Sequence, residues 1–390
     1  MALVKHYNIA KCLSHIQRKR LYHAPPQLSN PALLNEKMNR SVIMTFNNPR
    51  YLNAMSPEML SLLNSSLKAC EENKDNIDMV FLRGTGNVMS SGGDIKMFIE
   101  GAKNPKNRER LHKYIDDAYR ALYRSKTTSI PNISIMNGLA VGIAAGICFG
   151  TNFRVATEKT ALMMPETRIG HFCDVSSCYH LSRLDGYYGR YLALCAERSK
   201  AEDLKHCGIA THFVPSGRVD DMVHHLTTLE SPSVDVIDQE LDKFTEALPT
   251  DPRLTTSNGI SQQEKHQVVE HCFKFDTVEE IIDALEQEGS KFSLSARDKI
   301  LLGSPSAVKI TLELYRRASC LSYTDCLLLE RKLWSIDMDA PDFVEGCMSM
   351  LEKRSPVWFQ QQLDQVDLKV DIHTKRFDAA EPLEPIDLRV

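Results

Sequence analysis

The chain has 390 residues, 43% of them hydrophobic and 25% charged, with 47 basic and 51 acidic side chains for a formal net charge of −4. That is the composition of a globular protein, long enough for one large core and a second unit, with no electrostatic footprint for nucleic acid. No apolar run approaches the ~20 residues of a membrane span, and the eleven cysteines form no C-x-x-C pair or zinc spacing, which favours a reducing interior over a disulfide framework or a metal site.

In chain order, the first 35 residues contain no Asp or Glu, whereas Lys5, Lys11, Arg18, Lys19 and Arg20 are basic and Leu3, Ile9, Leu13 and Ile16 share a helical face. This is the pattern of a mitochondrial presequence, and Pro25-Pro26 through Pro31 mark a linker after it. An alternating strand is expected over Ser41–Phe46, then a turn at Asn47-Asn48-Pro49. Ser56 and Pro57 open a helix through Cys70, with Met59, Leu60, Leu63 and Leu67 on its apolar face. A strand follows over Met79–Gly84, leading into Ser90-Ser91-Gly92-Gly93-Asp94, where small residues and a helix-starting Asp converge backbone N–H groups. Arg108–Arg124 reads as a helix carrying Asp116 and Asp117.

Ile133, Ile135 and Met136 make a short buried strand that stops at Asn137-Gly138. The small residues Ala140, Gly142, Ala144, Ala145 and Gly146 then let a helix N-terminus, a ready site for developing negative charge, approach its neighbours closely. Glu166 and Asp174 follow inside otherwise apolar sequence, where a carboxylate must be exposed, paired or used. Strands alternating with helices, again at Phe153–Ala156, give an α/β core; Ser231-Pro232-Ser233 marks its end. Helices are expected beyond it over Val234–Leu248, Thr277–Glu288, Ser293–Leu302, Pro305–Ala318, Tyr323–Ile336 and Asp342–Glu352, with Gly289 as a stop and an aperiodic, poorly ordered tail over the last ~20 residues.

Eight stretches carry a family resemblance: FNNPRYLNAMS (46–56), SGGDIK (91–96), NFRVATE (152–158), MPETRIGHFCDV (164–175), GIATHFV (208–214), TVEEII (277–282), SPSAVKIT (304–311) and DFVEG (342–346). In this order they resemble the crotonase (enoyl-CoA hydratase/isomerase) superfamily and, within it, the 3-hydroxyisobutyryl-CoA hydrolases. The resemblance implies a spiral core of ββα repeats followed by a C-terminal helical region. The boundaries expected are 1–32 for presequence and linker, 33–230 for the core, 231–370 for the helical region and 371–390 for the tail.

It also implies hydrolysis of the thioester of 3-hydroxyisobutyryl-CoA, a step of valine breakdown, in the mitochondrial matrix. Gly93 and Ile143 would supply the backbone N–H groups of an oxyanion hole. Glu166 would act as base or nucleophile, and Asp174 as its partner on the substrate 3-hydroxyl. Ser91, Gly92, Gly142, Asp117 and Lys96 would bind substrate, with Lys96 and Arg50 near the nucleotide end. No cofactor or metal is implied, since coenzyme A is part of the substrate; the partners expected are the acyl-CoA itself and a further copy of the chain, with neither nucleic acid nor membrane.

The sequence departs from the family pattern at Ile143 and Ala144, where glycines are usual, at Ser176-Ser177-Cys178, where a Gly-rich run is usual, and at His171 and Cys173 just before it. His171 and His180 are read as structural or surface histidines, and Cys173 and Cys178 as buried apolar residues. Gly146 stands where hydratases carry a second glutamate, which argues against hydration. Two other readings stay open: a structural or interaction protein such as a mitochondrial ribosome subunit, and an isomerase using Glu166 alone.

Overall fold

The computed structural model describes residues 31–248, 260–359, 362–363 and 386–389. The presequence and most of the expected linker lie outside them, as does most of the tail.

The backbone winds as a spiral in which successive turns stack strand on strand. β1 (Leu33–Met38) pairs antiparallel with β2 (Ser41–Phe46), and β2, β3 (Met79–Gly84), β5 (Asn132–Met136), β7 (Phe153–Ala156) and β10 (His212–Phe213) follow in parallel to complete a six-stranded sheet. The short strands β4 (Val88–Ser90), β6 (Leu139–Val141), β8 (Ala161–Met163) and β9 (Ser199–Lys200) form a second, four-stranded sheet. The pairs β3–β4, β5–β6 and β7–β8 thus each give one strand to each sheet before the next helix.

The large sheet is covered on both faces, so its strands bury residues of both parities. Ile43, Met79, Phe81, Ile133 and Ile135 face one apolar cluster, completed by α8 (Val219–Thr227) and α9 (Val234–Asp242) through Val223, Leu226, Ile237 and Leu241. Met44, Phe46, Val80, Leu82 and Met136 face the main cluster. That cluster takes in α1 (Pro57–Glu72), α2 (Ile95–Lys103), α3 (Arg108–Thr127) and α4 (Ile143–Gly150) and continues without a break into the C-terminal helices. Each fully buried Leu, Ile, Met or Phe contributes roughly 1.5–3 kcal/mol relative to exposure. α1 starts where the sequence predicts: Pro57 occupies the first turn and Ser56 Oγ accepts from the Met59 N–H at 3.2 Å.

After Asp174 come α5 (Ser177–Leu181), α6 (Tyr188–Leu194) and α7 (Ala201–His206), and after α9 come α10 (Gln262–Cys272), α11 (Val278–Glu288), α12 (Lys291–Leu301), α13 (Pro305–Ala318), α14 (Tyr323–Asp337) and α15 (Pro341–Glu352). α11 has the capping box of Thr277 with Glu280 and the left-handed stop at Gly289. Three expectations need correction. The helix from Val234 ends at Asp242 and not at Leu248, because the Glu246 N–H leaves to donate to the Phe213 carbonyl at the end of β10. β1 adds a strand ahead of the first one expected, at Ser41. And residues 386–389, expected in a poorly ordered tail, dock on α3, where Leu388 is buried and Arg120 and Arg124 donate to the carbonyls of Asp387 and Arg389.

Candidate active site

The spiral brings the two glycine-bearing segments together at one cleft. A Cβ on Gly92, which has φ +91°, would come within 2.8 Å of the Val141 carbonyl oxygen, and one on Gly93 within 3.3 Å of Ile143 Cδ1. Gly92 therefore meets the end of β6 backbone to backbone, which only glycine permits there, while Gly93 packs against the Phe98 and Ile143 side chains. Asp94 opens α2 by accepting from the Lys96 N–H at 3.0 Å, and the Asp94 N–H donates to Tyr114 Oη at 3.1 Å. Ile143 is the first residue of α4, so its N–H lies in the turn that has no intrahelical acceptor. Its branched side chain, the departure from the glycine pattern, is buried against Gly93.

Ser91, Gly92, Gly93, Gly142, Ile143, Glu166 and Asp174 all line this cleft. Glu166 is 6% exposed, and Gly142 lies so close that a Cβ there would sit 2.9 Å from Glu166 Oε1. Burial, and after it the charge of Asp174, raises the Glu166 carboxyl to about 8. Asp174, also buried, accepts from Tyr119 Oη at 3.2 Å.

Other expected residues fall elsewhere. Asp117 does not line the cleft; its carboxylate pairs with Lys113 at 2.8 Å and Arg120 at 3.2 Å along α3. Its neighbour Asp116 binds Arg331 of α14 at 2.6 Å. Lys96 is exposed and does not line the cleft, and Arg50 lies over the Tyr51 ring.

The floor of the cleft shows what sequence reasoning missed. His171 is not on the surface: it is buried in the cleft wall, its Nδ1 2.6 Å from Asp337 Oδ2 and its Nε2 3.5 Å from Asp174 Oδ2. The second contact is an ion-pair distance without hydrogen-bond alignment. Burial pushes the imidazole down, but the two carboxylates outweigh it and raise it to about 10. His180, half-buried, goes the other way, to about 3, through desolvation and the cations Lys126, Arg154 and Arg183. Cys173 and Cys178 are buried free thiols.

The loop that carries these residues is pinned by the C-terminal helices. Val175 and Ser176 adopt φ +54° and +67°, a region non-glycine residues enter at a cost of about 1–2 kcal/mol each. Glu330 of α14 offsets that strain by accepting from the Ser176 N–H at 2.7 Å and the Cys178 N–H at 3.2 Å. Its carboxyl is pushed well above the usual range by burial and then by Asp174, against the pull of those two donors. Thr311 and Tyr315 of α13 hold Cys173 and Ser177, while Trp334 and Phe343 wall the cleft with Phe98.

The model of the enoyl-CoA hydratase/isomerase family matches residues 41–372. The chain belongs to this family. A protein named probable 3-hydroxyisobutyryl-CoA hydrolase 2, from Arabidopsis thaliana, is 34% identical over 92% of this chain and 95% of its own length. The human mitochondrial 3-hydroxyisobutyryl-CoA hydrolase is 32% identical over 86% of each. A solved carnitinyl-CoA dehydratase from Mycobacterium thermoresistibile superposes with a TM-score of 0.81 at 27% identity, covering 92% of this chain and 99% of that one.

Within that family fold, a second acid at the start of the helix after the glycine run is blocked here. A Cβ on Gly146 would lie 2.1 Å from the Val175 carbonyl oxygen and 2.9 Å from Leu122 Cδ2.

Proposed function

We propose that this chain hydrolyses the thioester of 3-hydroxyisobutyryl-CoA, releasing 3-hydroxyisobutyrate and coenzyme A. The observation that carries this reading is one buried glutamate in a cleft whose geometry bars a second from Gly146. Hydration of an enoyl thioester uses two acid/base groups, whereas hydrolysis needs one carboxylate and an oxyanion site.

In the proposed reaction, water attacks the thioester carbonyl carbon and passes a proton to Glu166. The new oxyanion accepts from the N–H groups of Gly93 and Ile143, donors worth several kcal/mol in a dry site. Collapse breaks the C–S bond, and Glu166 returns the proton to sulfur. Direct attack by the Glu166 carboxylate, giving a mixed anhydride that water then opens, has the same balance. Asp174 accepts from the substrate 3-hydroxyl. Neither Asp117 nor Lys96 enters this scheme, since neither lines the cleft.

A mitochondrial location is part of the proposal: relatives from human, chicken and zebrafish are named mitochondrial, and the acid-free basic N-terminus fits import. No helix of the described residues is long and apolar enough to cross a membrane.

The test is thiol release from 3-hydroxyisobutyryl-CoA by the purified protein beside Glu166→Gln and Asp174→Asn. Turnover falling between about a hundredfold and ten-thousandfold in Glu166→Gln is expected. Turnover that survives this change would remove Glu166 from the chemistry.

A further inference from the structure

Resting on that reading, we propose that His171, fixed by Asp337, is a specificity-determining residue: its Nε2–H donates to the 3-oxygen of the acyl group while Asp174 accepts that hydroxyl's proton. The pair would make the site selective for 3-hydroxyacyl thioesters over acyl groups bare at that carbon.

Four observations on the ring carry the argument. It is buried, and it lines the cleft beside Asp174. Nδ1 is 2.6 Å from Asp337 Oδ2, so that nitrogen carries a proton. Nε2 faces a second carboxylate, Asp174 Oδ2, at 3.5 Å, where a lone pair would be repelled; this nitrogen carries a proton too. Yet Nε2 has no aligned hydrogen-bond partner among the described residues. A buried donor held beside a carboxylate without hydrogen-bond alignment is left open to a better-placed acceptor, and a substrate oxygen in the cleft can supply one.

The imidazole cannot swing away to find another acceptor. It is packed between Phe172, Phe343 and Trp334, with ring centroids 4.3, 5.1 and 5.6 Å away, and Asp337 holds its far edge.

Charge decides which oxygen fits. Two aspartates flank one imidazolium, so the cluster already has a surplus negative charge, and a carboxylate on the acyl group would add to it. A hydroxyl satisfies both neighbours at once, accepting from His171 and donating to Asp174. A 3-oxo group meets only the first. A bare acyl chain leaves both unpaired, the situation in which sites built around a substrate hydroxyl discriminate most strongly. Asp337 touches no substrate in this arrangement and acts as a positioning residue.

The experiment compares 3-hydroxyisobutyryl-CoA with isobutyryl-CoA. Binding constants are measured calorimetrically on full-length protein carrying Glu166→Gln, and kcat/KM on protein with Glu166 intact. Each is done with and without the apolar pair His171→Leu/Asp337→Leu, which removes the closer ion pair as a unit and leaves Asp174 its Tyr119 donor. The preference for the hydroxylated ligand is expected to fall about 10- to 100-fold, the loss of one charge-assisted hydrogen bond, with isobutyryl-CoA little changed. His171→Gln, whose amide can still donate, should recover part of it.

Equal losses on both ligands in a protein that still melts cooperatively would reduce His171 to a structural part and overturn the inference while leaving the proposed hydrolysis intact. If the Glu166→Gln protein binds neither ligand and the enzyme with Glu166 intact turns over neither, both proposals fall together.

Discussion

The wall of the cleft built by the spiral core and the wall built by the C-terminal helices work by different chemistry. The core offers mostly backbone: the close approach of Gly92 to Val141, the N–H groups at Gly93 and Ile143, and one carboxyl at Glu166. The helices offer mostly side chains aimed back at a single loop: Thr311, Tyr315, Glu330 and Asp337. Backbone donors tolerate exchange of side chains, which is why Ile143 can replace a glycine. Side-chain braces do not, because each leaves a buried partner behind when it is lost.

Substitutions on the two sides should separate these modes. The largest effect is expected in the core, at Gly146→Ala: the new methyl meets the Val175 carbonyl at 2.1 Å, and stability should fall by roughly 3 kcal/mol. A denaturation midpoint close to that of the parent protein would mean that the Val175 loop yields easily. On the opposite wall, Glu330→Ala orphans two buried N–H groups and should cost about 2–3 kcal/mol by urea unfolding. Glu330→Gln, which still accepts, should cost less. A similar loss for both would point to charge as what matters at this brace.

Glu166 gives a test by pH. It binds its proton more tightly folded than unfolded, about 8 against 4.5, so its contribution to stability is complete below about 4.5 and is lost as pH rises through about 8. Between pH 6 and 9 the parent protein should lose on the order of 2 kcal/mol relative to Glu166→Gln, which has no such proton. If Glu166 acts ionised, kcat/KM should rise with pH and level off above about 8; a flat profile between pH 6 and 9 would contradict the raised carboxyl. The smallest effect belongs to the seam between the walls: Asp116→Asn, which breaks the partly exposed pair with Arg331, should shift stability by less than about 1 kcal/mol.

The parts legible in the sequence are those with local causes. The Ser56-Pro57 start, the alternating β2, the capping box of α11 and its stop at Gly289 are each written within a few residues of where they act. Glu166 and Asp174 were legible through their isolation among apolar neighbours. The strands of the second sheet, two or three residues long, carry no period to read, and α10 has too polar a face to stand out. The pairing of His171 was the part least open to reading. Its partner Asp337 lies 166 positions along the chain, and no local pattern links a histidine in an apolar loop to an aspartate at the end of a distant helix. The one signal present was that His171, like Glu166, is an ionisable group in a run of buried residues. Asp117 came from the resemblance alone, and on α3 its carboxylate pairs with Lys113 and Arg120 and does not line the cleft.

The contact of α15 with the segment after Glu166 has a consequence for exchange of parts between homologues. Gly346 meets the Ile169 backbone so closely that a Cβ would come within 2.3 Å of it, and Gly170 meets the Asp342 carbonyl in the same way. These two glycines mesh like teeth, and the buried His171–Asp337 pair crosses the same seam. A chimera that joins this core to another protein's C-terminal helices would inherit an imidazolium with no counter-ion at position 337 unless the donor happened to supply one. The two halves are therefore heritable only as a matched set.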